Sequence, residues 1–183
     1  MKATDILMEE HTIIKRVLTA LETAAQRLER GQVVRAGFFI DAADFIKGFA
    51  DSCHHKKEEG VLFKAMVASG MPAQGGPISM MLAEHEQGRA YTRAMREAAQ
   101  KLQSGDESAR DQVIRSARGY VALLRQHISK EDNILFPMAN QVISQAEQGN
   151  VAEDFERVEH EEIGEGVHEK YLALVESLEK EGF

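Results

Sequence analysis

Gln126-His127-Ile128-Ser129-Lys130-Glu131-Asp132-Asn133-Ile134-Leu135-Phe136-Pro137 sets a histidine and a carboxylate four residues apart. On a helix that spacing brings both side chains to one face, within reach of a single ion. The spacing alone is common. Here it falls on an apolar stripe, because Val113, Ala117, Tyr120, Leu124, His127, Glu131, Ile134, Met138 and Val142 follow one another at intervals of three or four. An ionised glutamate aimed at a core costs several kcal/mol unless something pairs with it, so a partner has to be sought elsewhere in the chain.

Working outward, three more helices carry related features. A first helix capped by Thr4 or Asp5 and stopped by Gly31 has the stripe Leu7, His11, Ile14, Leu18, Leu21, Ala25 and Leu28. A second, about 37–68, carries Phe38, Phe45, Ile46 and Phe49, then Cys53-His54-His55-Lys56-Lys57-Glu58-Glu59, then Val61-Leu62-Phe63 and Met66. After the glycine- and proline-rich loop 69–77, with Pro77 suited to a first turn, a third helix repeats the spacing through Ile78, Met81, His85, Gly88, Thr92, Met95, Ala99 and Leu102. The fourth, about 107–148, contains the opening stretch, with Pro137 placed to bend it. Gly164 and Gly166 divide the remaining segment, about 151–181, into two short helices, the second packing Val167, Tyr171, Leu174 and Leu178.

The expected architecture is therefore all-α: a four-helix up-down bundle over residues 1–148, with a C-terminal helical extension over 149–183 packed on it as part of the same domain. Composition agrees, since 183 residues at 43% hydrophobic and 28% charged suit one domain with a full core. A formal net charge of -8 argues against nucleic acid or an anionic membrane surface as partner. The N-terminal segment is charged and amphipathic rather than a leader, and no run approaches the ~20 apolar residues of a membrane span. One cysteine, Cys53, rules out an internal disulfide and fits a reducing compartment, so a cytoplasmic monomer or homodimer is expected.

The second and fourth helices echo each other. His54-x-x-x-Glu58 followed by Leu62-Phe63 matches His127-x-x-x-Glu131 followed by Leu135-Phe136. Taken singly, such a pair is an ordinary surface contact, and His11 or His85 an ordinary hydrogen-bonded core histidine. Together they bring four imidazoles and two carboxylates to one level of a bundle, and a metal is the simplest way to satisfy them all. Imidazole and carboxylate without thiolate suit iron, manganese or zinc, and six ligands exceed the needs of one structural zinc. Carboxylates able to bridge two ions describe a dinuclear site, for which iron is the usual occupant in bundles, and an incomplete coordination sphere leaves room for dioxygen, nitric oxide or peroxide.

Glu10-His11, His54-His55-x-Lys57-Glu58-Glu59-x-x-Leu62-Phe63, Glu84-His85-Glu86 and His127-x-x-x-Glu131-x-x-x-Leu135-Phe136-Pro137 together resemble the hemerythrin-like (HHE cation-binding) domain over nearly the whole chain. The run Gly76-Pro77-Ile78-Ser79-Met80 ahead of Glu84-His85 is similar to the di-iron domain of iron-sulfur cluster repair proteins. The resemblance implies that His11, His54, Glu58, His85, His127 and Glu131 ligate two irons, with both glutamates bridging and an oxo or hydroxo group between the ions. It implies binding of dioxygen, nitric oxide or peroxide for sensing or oxidative and nitrosative defence. The alternatives are a catalase-like or nitric-oxide-reducing enzyme at the same centre, or iron storage and donation.

Two ambiguities attach to this set. His55 and Glu59 form a second pair one residue along; ideal periodicity leans toward them, whereas the echo and the family's Lys-Glu-Glu register favour His54 and Glu58, leaving His55 near the site or at the surface. The oxygen carriers also have a second histidine four residues after that of the third helix, where this chain has Arg89. A fifth imidazole then has to come from elsewhere. His168 is a candidate, with Tyr171 beside it, although a histidine packing at the bundle boundary is the plainer reading. His160, in an acidic run, is expected in solvent, and Cys53 is expected to be a small core residue.

Overall fold

The computed structural model describes residues 2–164 and 166–182, and every regular element among them is helical. The first rod is α1 (Ala3–Glu29). It starts slightly before the expected cap, because Lys2 is the N-cap and its N–H donates to the Asp5 carboxylate at 2.7 Å. Thr4 is buried instead, its hydroxyl bonded to Asn140 at 3.1 Å. The second rod begins with α2 (Ala36–Phe45), passes through π-helical segments Ile46–His55 and Glu58–Leu62, and ends in α3 (Phe63–Ala68). The third is α4 (Pro77–Gln103), with Pro77 in its first turn.

The fourth rod joins α5 (Arg110–Lys130), a π-helical turn Glu131–Leu135 and α6 (Phe136–Val142). It stops earlier than the sequence suggests. Ile143 is extended (φ -79, ψ 123), and the Ser144 hydroxyl accepts from the Glu147 N–H, capping α7 (Gln145–Arg157). A further π-helical turn, Val158–Ile163, ends at Gly164, and α8 (Val167–Gly182) follows. Gly164 sits at φ +96, a conformation few other residues adopt.

The fourth rod lies between α1 and α4, α4 packs on the second rod, and α8 rests against both α1 and α2. The close approach of α8 depends on Gly48, where a Cβ would fall 1.6 Å from the Tyr171 hydroxyl. Two apolar cores result. One gathers residues such as Leu18, Leu21, Phe45, Phe49, Met95, Val121 and Leu178; the other gathers Leu7, Leu62, Phe63, Met81, Leu135, Phe136 and Phe155. Between them every rod contributes a polar residue, so the bundle carries one buried polar layer across its width.

The π-helical turns explain how that layer is built. In the second rod Ile46, Ala50, His54, Glu58, Leu62 and Met66 are all buried, and in the fourth His127, Glu131, Leu135, Ala139 and Ile143 are. A spacing of four drifts about 40° per step on a 3.6-residue helix. A π-helical turn holds more residues and absorbs the drift, keeping such a row in line. The expected stripe therefore fails after Glu131: Ile134 and Val142 are exposed, and Leu135, Ala139 and Ile143 face inward in their place.

Candidate metal centre

The six residues singled out by pattern lie together in the polar layer, and His55 joins them. Two groups of side chains each place one nitrogen or oxygen per residue within 4.8 Å of the others: His11, His54, Glu58 and Glu131, and His55, Glu58, His85 and His127. All seven residues are at most 2% exposed. The carboxylates link the groups. Glu58 Oε1 lies 3.4 Å from His54 Nε2 and its Oε2 3.4 Å from His85 Nε2. Glu131 Oε2 lies 3.2 Å from His11 Nε2, while its Oε1 is 3.0 Å from His127 Nε2.

Behind each imidazole stands a carboxylate. Nδ1 of His11 bonds Asp132 (2.6 Å), that of His54 bonds Glu10 (2.8 Å), and that of His55 bonds Asp51 (2.9 Å). His85 likewise bonds Glu59 (2.7 Å) and His127 bonds Glu84 (2.8 Å). An ionised carboxylate only accepts, so every Nδ1 carries the proton and, in the neutral ring, every Nε2 lone pair points into the layer. The carboxylates are paired in turn: Asp132 with Lys15, Glu10 with the buried Lys57, Glu84 with Lys130, and Glu59 and Asp51 with Arg89.

This arrangement fits a cation. Nε2 of His11, His54 and His55 and all four oxygens of Glu58 and Glu131 are buried without a hydrogen-bond partner among the described residues. The Nε2 atoms of His85 and His127 face each other at 3.1 Å, two lone pairs opposed in the neutral rings. Burying such groups costs several kcal/mol, which ligation relieves. Without a metal, protons take over part of that role. Burial works against a charged His54, but the charge of Glu58, the hydrogen bond to Glu10 and the bond that a protonated Nε2 can donate to Glu58 outweigh it and lift the pKa to about 10. His85 rises to about 9 against the same burial, through the bond that a protonated Nε2 can donate to Glu58 and through its bond to Glu59. His55 goes the other way: burial, followed by the charge of His85, holds it well below the usual range.

The Hemerythrin HHE cation binding domain family matches residues 2–139. The chain belongs to this family. Uncharacterized proteins of Mycobacterium bovis and Mycobacterium tuberculosis are 28% identical to it over 178 residues, covering 97% of this chain and 69% of theirs. The iron-sulfur cluster repair protein YtfE of Salmonella newport is 33% identical over 91 residues, 48% of this chain and 41% of its own. No solved structure matches the chain.

His55 is neither at the surface nor an alternative to His54: both are in the layer, one in each group. Glu59 stays outside both groups and serves as the acceptor for His85. His168 and Tyr171 do not reach the centre. His168 Nδ1 lies 3.5 Å from Glu159 Oε1 and its ring packs on Phe49, while Tyr171 packs on Phe45 and Phe49. His160 is exposed. Cys53 is buried, and burial pushes its thiol up to about 12, as suits a core residue.

Four of the five supporting carboxylates went unassigned by pattern, and the fifth, Glu59, was read there as an alternative ligand. They had a signal, since Glu10, Glu59, Glu84 and Asp132 each neighbour a member of the layer in sequence and reach an imidazole on another rod, and Asp51 precedes His55 by one turn. Within this hemerythrin-like chain the Leu-Phe anchors also gain a role: Phe136 stacks on His11 (centroids 5.4 Å) and Phe63 on His85 (6.1 Å). No described helix is long and apolar enough to cross a membrane.

Proposed function

We propose that this chain is a non-haem di-iron protein that binds dioxygen, nitric oxide or peroxide in sensing or in oxidative and nitrosative defence. The observation that carries the reading is the aim of Glu58 and Glu131, each of which turns one oxygen toward either group, as two ions side by side require. His11 and His54 would hold one ion, His55, His85 and His127 the other, with both glutamates shared. Five imidazoles and two carboxylates without thiolate suit iron more than copper(I). Two ferrous ions so held would supply electrons and open coordination to a small ligand.

The chain's own residues do the rest. The carboxylates behind the five Nδ1 atoms fix each ring and raise its basicity as a ligand. The cations behind those carboxylates keep the layer from accumulating negative charge. Phe63 and Phe136, with the two apolar cores, exclude bulk water and leave the layer to ligands of very few atoms. A second reading, iron donation, draws on the likeness to a protein named for iron-sulfur cluster repair. Ligands at most 2% exposed favour retention over release.

The test is anaerobic reconstitution with ferrous iron, metal analysis, and optical spectra after adding oxygen, nitric oxide and peroxide in turn. About two irons per chain and a distinct, reproducible spectral change with one of these ligands are expected. A chain that holds fewer than two irons, or that yields its iron to a weak chelator in minutes, defeats the proposal.

A further inference from the structure

A single guanidinium stands behind two of the three imidazoles of the second group. Arg89 Nη2 donates to Glu59 Oε1 at 2.8 Å, and the same oxygen accepts from His85 Nδ1 at 2.7 Å. Arg89 Nε lies 3.8 Å from Asp51 Oδ1, the oxygen that accepts from His55 Nδ1 at 2.9 Å. Arg89 sits on α4, whereas Asp51 and Glu59 sit on the second rod, so one side chain ties two rods at the level of the polar layer. The rings it supports are themselves stacked, with centroids 3.8 Å apart and planes 17° from parallel, so turning one displaces the other.

The other group is supported differently. Lys15 pairs with Asp132 behind His11, and Lys57 pairs with Glu10 behind His54; among the described residues no single cation serves both. His127, the remaining member of the second group, has Lys130 behind Glu84. Without Arg89, Asp51 and Glu59 would face each other's charge across a half-buried surface, and neither would be held where it orients its imidazole. A lysine could not replace it fully, because an ammonium is a point charge and lacks the planar fork that meets two carboxylates at once.

We infer that Arg89 is the positioning residue for the ion held by His55, His85 and His127, and that the ion held by His11 and His54 does not depend on it. The inference rests on the two-ion reading of the centre. Supporting partners of metal-bound histidines typically contribute 10–100-fold to metal affinity, and here two such partners share one support.

The experiment uses the full chain, metal-free, titrated with Co(II) and followed by visible absorption with metal analysis after desalting. The unsubstituted protein should take up two Co(II). Arg89→Gln should keep one at near-normal affinity and weaken the second by roughly 10–100-fold, with Arg89→Lys in between. The position affected is identified by combination. His11→Ala/Arg89→Gln should retain no tightly held ion, whereas His55→Ala/Arg89→Gln should retain one, like Arg89→Gln alone, because both changes strike one position. If Arg89→Gln does not fold, as judged by circular dichroism, Arg89→Lys decides by the same split. Two ions bound by Arg89→Gln with unchanged affinity overturn the inference, as does equal weakening of both. Fewer than two Co(II) on the unsubstituted protein would instead defeat the two-ion reading itself.

Discussion

His54 and His55 are neighbours in sequence, equally buried, and electrostatically opposite. His54 faces Glu58 and Glu10 and is pushed up to about 10; His55 is held well below its usual range by burial and then by the charge of His85. Helical phase leans toward His55 and the sequence echo toward His54, and phase alone could not decide, because it asks which of two adjacent residues faces inward, and here both do. The six residues picked by pattern were legible because each fell on an apolar stripe or within the repeated His-x-x-x-Glu. His55 was not, since an ideal helix rotates about 100° between neighbours and offers only one of them to a narrow layer. This yields a direct comparison. His55→Ala should bind one Co(II) fewer than the unsubstituted chain, while His168→Ala, whose ring rests on Phe49 beside Glu159, should bind two at unchanged affinity. Metal analysis of both variants checks it, and loss of an ion from His168→Ala would return the C-terminal helix to the centre.

At the scale of elements, the π-helical turns are what sequence reading missed, and for a definite reason. Periodicity arguments assume 3.6 residues per turn, whereas the second and fourth rods run buried rows at intervals of four through His54 and Glu58 and through His127 and Glu131. The two turns Glu58–Leu62 and Glu131–Leu135 begin at the two shared glutamates and end at the leucine of each Leu-Phe pair, so the sequence echo is a local-structure echo as well. Expected and observed stripes part at Glu131 for that reason. α1 and α4 contain no such turn, and their stripes came out as read, apart from a half-buried Leu102. The docking of α8 rests on a different local feature. Gly48→Ala would put a methyl 1.6 Å from the Tyr171 hydroxyl and 2.0 Å from its ring, so α8 must shift. Overpacking of this kind typically costs 1–3 kcal/mol. Thermal denaturation should show Gly48→Ala less stable, with metal uptake retained because Tyr171 lies outside the centre. Gly60→Ala, where a Cβ meets nothing within 4 Å, is the control for altering a glycine in a π-helical segment.

At the scale of the whole molecule, a buried layer of imidazoles and carboxylates between two apolar cores makes stability, protons and metal one linked problem. His54 and His85 have folded-state pKa values of about 10 and about 9, above the 6.5 of an unperturbed histidine. The metal-free fold therefore binds these protons more tightly than the unfolded chain. Their stabilising contribution is complete below pH ~6.5, declines as pH rises above it, and is gone once pH passes about 9 to 10. Glu58 has the opposite sign: against the burial that would raise it, the charge of His54 holds it well below 4.5, so its contribution is lost as the solution is acidified through that range. His55, held well below 6.5, makes stability fall again as pH drops below 6.5, so the metal-free protein should be most stable near pH 6.5, and its melting temperature should fall steadily from pH 6.5 to 10. Bound divalent metal reverses the alkaline limb, because ligation needs the imidazoles unprotonated and expels the protons that held the layer together. Melting curves from pH 6 to 9.5, with and without saturating Co(II), should diverge as pH rises, and a pH-stat should record protons released on metal addition at pH 7.5. Parallel curves with no proton release would mean that the imidazoles of this layer are not where the metal binds.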